Sequence, residues 1–317
     1  MGVMDVAGLT DIGQRRKTNE DQFFIADIHK SIRVHQTSLA LDHQTRLFSG
    51  SQGKLMAVAD GMGGHEAGER ASQLVIDSFV DYVLNRLGWF IHGGGISESD
   101  FEQQLTSALI ACHRKIVQET AAIPQRSGMG STATLAYIAW PTMFVMHVGD
   151  SRCYLLRDGT LQRLTRDHTL AEAVKKGFDA PAESMVEDDS DGEEESPMSH
   201  VLWNVIGGNK EDPHPDAMAL ELKLGDKVLL CTDGLTRHIE ARKIKELLGQ
   251  SLPTNQICQQ LVQEANRRGG EDNITVIVSS FREQPATEME HAEVQLEIND
   301  SSSTLDFDNP PVMAKII

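Results

Sequence analysis

The stretch Leu55-Met56-Ala57-Val58-Ala59-Asp60-Gly61-Met62-Gly63-Gly64 decides how this chain folds. Its apolar run, with Lys54 before it, is bounded by glycine and too short for an ordinary helix, so Lys54 to Ala59 reads as a strand that runs out into Asp60. The arrangement recurs. FVMHVGDSR places Asp150 after an apolar run, and VLLCTDGL does the same for Asp233. GGEDN sets Asp272 directly before the run ITVIV, and Asn19-Glu20-Asp21 precedes QFFIA. One Asp-Gly at a strand end is ordinary turn chemistry, because Asp bonds its own backbone and Gly accepts positive φ. Repetition is harder to dismiss. If sheets pack together with their strand ends at one edge, Asp21, Asp60, Asp150, Asp233 and Asp272 share a cleft.

Outward from these acids, further strands are expected at Val3 to Leu9, Gln22 to Ala26, Thr132 to Trp140, Met143 to Val148, Arg152 to Arg157, Ala217 to Lys223, Lys227 to Cys231 and Ile274 to Phe281. Asp158-Gly159 between CYLLR and TLQRL signals a two-residue hairpin, and Leu224-Gly225-Asp226 is expected to close a second. Helical spacing is strongest from Glu66 to Leu87. A second helix carries Phe101, Leu105, Ala108, Leu109, Cys112 and Ile116, begins after Ser97 or Ser99 and ends before Pro124. Shorter helices are expected at Leu170 to Lys176, Ala241 to Leu248 and Asn255 to Arg267. Strands joined by tight turns and helices held apart from them imply an α+β chain, with helices on the outer faces of packed antiparallel sheets.

A length of 317 residues fits two average domains or one large layered one, and 40 % hydrophobic with 24 % charged residues excludes a disordered chain, a collagen or a disulfide scaffold. The formal charge of −18 is local. Glu183 to Glu195 contributes −8 and Glu283 to Ile317 contributes −7, leaving −3 for the rest. The body is nearly neutral, without the basic stripe of a nucleic-acid-binding surface. Residues 181–200 are read as a mobile acidic loop, residues 283–317 as a disordered acidic tail, and residues 29–53 as an insertion. No apolar run is long enough to span a bilayer, no secretory signal is visible, and Cys112, Cys153, Cys231 and Cys258 are scattered. A cytoplasmic protein with reduced core thiols is the expectation.

Carboxylates gathered without compensation repel one another and favour protonation, a problem that divalent cations relieve. An all-oxygen donor set suits magnesium or manganese, and no Cys or His spacing builds a tetrahedral zinc site. Gly61 leaves room for a main-chain carbonyl to approach an ion. Gly13-Gln14-Arg15-Arg16-Lys17 is the basic cluster beside Asn19-Glu20-Asp21, and the planar fork of Arg15 or Arg16 suits phosphate oxygens. Alone, such a triplet is a solvated turn.

The ordered set TDIGQRRKTNED, AVADGMGGHEAGERAS, GMGSTAT, HVGDSR, LTRDHT, CTDGLT and GGEDNITV resembles the metal-dependent protein phosphatases, the type 2C serine/threonine phosphatases, in their bacterial form. The resemblance covers Met4 to Ser280 and implies a four-layer αββα sandwich, with two mainly antiparallel sheets flanked by helices. It implies a catalytic domain over residues 1–282, with a flap at about 168–208 that carries the acidic loop. By motif, Arg16 matches the phosphate-binding arginine, and Arg15 stands where the pattern has an aliphatic residue. Asp60 matches a carboxylate bridging two metal ions, with the Gly61 carbonyl on one of them. Asp233 and Asp272 match ligands of the other ion, Asp21 an acid either at the metal site or just behind its ligands, and Glu20 the neighbour that holds a metal-associated water. Asp150, with Asp233, matches the holder of a third, weaker ion. Where the eukaryotic branch has a His directly after Asp-Gly, this chain has Met62, so His65 is either the stand-in general acid or a structural residue at the start of a helix.

The resemblance thus implies hydrolysis of phosphoserine or phosphothreonine in proteins by a metal-activated water, without a phosphoenzyme, using two manganese or magnesium ions and at most a third. Its partners are phosphorylated proteins, substrates of a serine/threonine kinase, and it is expected to act as a monomer away from nucleic acid and membranes. The rivals are a catalytically weak phosphoprotein-binding scaffold of the same fold and an enzyme on small phosphate esters. The acidic loop either biases substrate choice toward basic phosphopeptides or is a solvated spacer.

Overall fold

Alternation of apolar side chains along the strands builds the layers. The computed structural model describes residues 2–34, 36, 46–64, 66–85, 98–176, 198–208 and 211–283. Its strands are β1 (Gly2–Asp11), β2 (Asp21–Arg33), β3 (Arg46–Met62), β4 (Gly130–Ser131), β5 (Ala133–Ala139), β6 (Thr142–Val148), β7 (Arg152–Arg157), β8 (Thr160–Arg163), β9 (Ile206–Gly207), β10 (Asp216–Glu221), β11 (Lys227–Cys231) and β12 (Ile274–Glu283). The helices are α1 (Glu66–Asn85), α2 (Glu98–Ala122), α3 (Leu170–Lys176), α4 (Asp233–Thr236), α5 (Ala241–Leu248) and α6 (Thr254–Arg267). One sheet runs in the order β1-β12-β11-β7-β8. The other runs β10-β6-β5-β3-β4-β9, with β2 paired to β3.

Three buried layers separate by parity, as a strand period of two requires. On β3 and β5, Leu55, Ala57, Ala59, Ala133, Leu135 and Tyr137 face α1 and α2, whose Ala71, Leu74, Val75, Phe79, Leu105, Leu109 and Ile116 recur at helical spacing. Their neighbours Met56, Val58, Ala136 and Ile138 turn the other way, against Leu155, Val228, Leu230 and Ile277 of the second sheet. On that sheet Tyr154, Leu229, Cys231, Val276 and Val278 face α5 and α6 through Ile244, Leu248, Ile257 and Leu261. Helix, sheet, sheet and helix therefore stack in the expected order, a mixed α+β sandwich. No helix among the described residues is long and apolar enough to cross a membrane.

The Asp158-Gly159 hairpin forms as expected, with φ of 50° and 73° and Arg157 opposite Thr160. The second expected hairpin does not. β10 pairs with β6 in one sheet while β11 pairs with β7 and β12 in the other, so Leu224-Gly225-Asp226 crosses between sheets. The cause is where the turn spends its amides: Leu222 N–H bonds Pro141 O on one sheet, and Gly225 N–H bonds Phe281 O on the other. Buried Asp226 locks the crossing, accepting from Lys223 N at 2.7 Å and Arg157 Nε at 2.9 Å.

Residues 29–53 are no simple insertion, since β2 and β3 extend through both ends of the segment and still pair at Arg33 and Arg46. The strand expected from Thr132 to Trp140 forms as Ala133–Ala139, and an unexpected two-residue strand, Gly130–Ser131, precedes it and pairs with β3 and β9. The first long helix is described from Glu66 to Asn85, with Arg86 and Leu87 outside the described residues, and the second is described from Glu98, with Ser97 outside them. The expected disordered tail beyond Glu283 and the acidic loop before Met198 also lie outside them.

Met56 is fully buried between the sheets. Met56→Ala should lower unfolding free energy by about 2–5 kcal/mol in urea titration; a loss under about 1 kcal/mol would contradict this packing.

Candidate active site

The register places the acids. Asp21 opens β2 directly opposite Asp60 on β3. Asp233 follows β11 and Asp272 precedes β12, two strands joined by antiparallel pairing and by Thr232 N–H to Thr275 O at 3.0 Å. Asp150 follows β6. Side-chain bonds then tie these ends together. Asp60 N–H donates to Thr132 Oγ1 at 2.9 Å, and that hydroxyl lies 2.9 Å from Ser151 Oγ beside Asp150. Thr232 Oγ1 donates to Asp21 Oδ2 at 2.8 Å, linking the sheets at the cluster.

Close backbone approach explains two of the glycines. A Cβ on Gly61 would lie 2.0 Å from Gly68 O and 2.7 Å from Glu20 O, and one on Gly234 would lie 2.0 Å from Asn273 O. Glu20 is buried, its N–H donating to Asn273 Oδ1 at 2.8 Å and its carbonyl accepting from Ser72 Oγ at 2.6 Å. Asn273 Nδ2 donates to Ile12 O and Thr18 O, each at 3.0 Å, which holds the turn carrying Arg16 against the Asp272 loop.

The cluster is electrostatically loaded. Burial pushes the Asp21 carboxyl up to about 7, against hydrogen bonds from Thr275 and Thr232, with Asp233 and Asp272 adding repulsion. Asp60 is held well above the carboxylate range by burial and then by Asp21, Asp233, Asp150 and Asp272. Asp150 is raised by burial, then by Asp233 and Asp167. Asp233 is raised by burial, with Arg237 opposing. Two guanidinium groups answer this charge: Arg16 Nη2 bonds Asp272 Oδ2 at 2.7 Å, while Arg237 bonds Asp233 Oδ2 and lies 3.4 Å from Asp272 Oδ2.

Arg16, Glu20, Asp21, Asp60, Gly61, Asp150, Asp233 and Asp272 thus lie around one edge of the sandwich; His65 is outside the described residues. Among the described residues, no three acid, His or Cys side chains stand in ion-holding geometry, Asp233 and Asp272 being turned onto arginine instead. The donor chemistry still fits a hard divalent cation: buried carboxylates that resist ionisation, a carbonyl at Gly61, and Asp233 Oδ1 buried without a hydrogen-bond partner. Sequence reasoning missed Arg237 and Thr232. The signal for Arg237 was its place four residues after Asp233, the spacing of a helical ion pair.

Residues 36–273 match the protein phosphatase 2C family. The chain is 34% identical over 227 residues to the serine/threonine protein phosphatase PstP of Mycobacterium tuberculosis, covering 71% of this chain and 40% of that relative's length. It is 30% identical over 292 residues to the protein phosphatase PhpP of Streptococcus pneumoniae, covering 89% of this chain and 100% of PhpP. A crystal structure of the PstP catalytic domain in complex with two manganese ions superposes with a TM-score of 0.64 at 30% identity, over 89% of this chain and 100% of that one. A crystal structure of the M. tuberculosis phosphatase PstP/Ppp gives 0.65 at 31% identity, over 88% and 99%.

A carboxyl with a raised folded pKa binds more protons folded than unfolded, so its contribution to stability falls as pH rises. For Asp21 the window runs from its ordinary value near 3.8 to about 7. In chelator-treated protein, Asp21→Asn should flatten the fall in unfolding free energy across that window. An unchanged slope would contradict the burial of this carboxyl.

Proposed function

Since the chain belongs to the protein phosphatase 2C family, we propose that it hydrolyses phosphoserine and phosphothreonine esters in proteins with the help of bound divalent cations. The observation that carries this reading is the convergence of Asp21, Asp60, Asp150, Asp233 and Asp272, far apart in the chain, beside the guanidinium of Arg16. Asp60, Asp233, Asp272 and the Gly61 carbonyl would hold two cations, with Glu20 and Asp21 beside them and Asp150 available with Asp233 for a third. Manganese or magnesium bound there supplies Lewis acidity, making water a better nucleophile at neutral pH and polarising the phosphate ester.

Arg16 supplies what the acids cannot. It is half exposed, so its free N–H donors can take phosphate oxygens of an incoming substrate and offset the charge that builds on them during displacement. Asp272 holds that guanidinium in place. Direct attack by water, with no phosphoenzyme, agrees with the state of Cys231, the cysteine nearest the cluster in sequence: it is fully buried and its thiol is pushed up to about 12 by burial. We place this activity in residues 1–282, acting in the cytoplasm as a monomer on targets of a serine/threonine kinase, with His65 as the candidate proton donor to the leaving group.

Phosphate release from para-nitrophenyl phosphate with and without manganese, and then from phosphopeptides, tests the reading. Manganese-dependent release from both supports it, release from the small ester alone points to another substrate class, and none from either contradicts it. Asp60→Asn and Asp233→Asn proteins should fold yet lose at least about 100-fold in kcat with manganese; full activity in both would sink the cation assignment. Arg16→Ala should cut kcat/KM for phosphopeptides by about 100-fold, and an unchanged value would remove its role.

A further inference from the structure

Lone pairs are scarce around Asp272. Its Oδ1 accepts the Asn273 N–H at 2.9 Å, while Oδ2 faces two guanidinium groups, Arg16 at 2.7 Å and Arg237 at 3.4 Å. Each carboxylate oxygen has two lone pairs, so Oδ2 has none to spare for a further partner. Asp233 has one oxygen bonded to Arg237 and the other buried with no partner. A cation that takes either acid through Oδ2 must therefore displace a guanidinium, and one that takes them through the two Oδ1 atoms still meets the charge of Arg237 beside it.

Arg237 is the one placed to leave. Its contact with Asp272 is the longer of the two, and its side chain, which also pairs with Asp233, is one-third exposed and so already reaches solvent. Its backbone N–H stays bonded to Asp233 O at 2.9 Å, so the side chain remains tethered within reach for return. Arg16 has the shorter bond and the separate task of meeting phosphate. We propose that Arg237 is an internal counter-ion that competes with divalent cations for Asp233 and Asp272, and so sets the cation concentration at which the site fills. The inference rests on the proposed function insofar as these two acids hold a cation. In this account the arginine neutralises the acids when cation is scarce and yields when it is plentiful.

Calorimetric titration of manganese into the full chain and its variants tests this. Arg237→Gln should bind manganese about tenfold more tightly, whereas Arg237→Lys should stay within about threefold of the parent protein because a cation is still present. Arg15→Gln removes the same charge from an exposed side chain that contacts neither acid among the described residues, and should change affinity less than about threefold. Equal or weaker binding by Arg237→Gln, or an equal gain in Arg15→Gln, overturns the competition while leaving the cation site intact. If the parent protein binds no manganese, the proposed function falls and the inference with it. Should Arg237→Gln fail to fold by circular dichroism, nitrogen-15 NMR of the parent decides: saturating magnesium should speed solvent exchange of the Arg237 Nη–H groups that contact Asp233 and Asp272, and unchanged exchange overturns the proposal.

Discussion

Mutual repulsion among desolvated carboxylates is the constraint on which this architecture turns. A buried acid is costly to ionise, and each neighbour of like charge adds to the cost. Asp21, Asp60, Asp150 and Asp233 all resist ionisation in their places, burial first and neighbouring acids next. Such a cluster persists only if the fold enforces it and positive charge answers it. The sandwich does the first, through strand pairing that sets Asp21 opposite Asp60 and through a Thr232 hydroxyl reaching across to the other sheet. Arg16 and Arg237 contribute to the second.

The layers and the site are thus one construction. Strand parity sorts side chains into three cores and leaves the strand ends to converge. Glycines at Gly61 and Gly234 then let main chains approach to distances that a Cβ would forbid, so the acids can crowd without steric conflict. Stability is sacrificed at this edge for the capacity to bind positive charge, the kind of local conflict expected at a functional site. Arg237 converts that conflict into a cation threshold in the account given above.

Much of this was legible in the sequence because it is local. The run from Lys54 to Ala59 ending at Asp60, the spacing of Ala71, Leu74, Val75 and Phe79 on α1, and the Asp158-Gly159 turn each carry their structure in adjacent residues. The set of acids was visible as a repeated strand-end pattern. What escaped was non-local: Leu224-Gly225-Asp226 looks like a hairpin, and only the destinations of its amides, Pro141 and Phe281, make it a crossing between sheets. β4 and β9 are two-residue strands that pairing defines and propensity does not. Arg237 has the spacing of an ordinary helical ion pair, and its meaning appears only when Asp272 arrives from the far end of the chain.

The central claim is that these acids form one cation-binding centre. Anomalous diffraction at the manganese edge, from a crystal grown in saturating manganese, tests it most directly. The account predicts peaks within coordination distance of Asp60, Asp233 and Asp272. Peaks at other surfaces alone, or none at all, would contradict it.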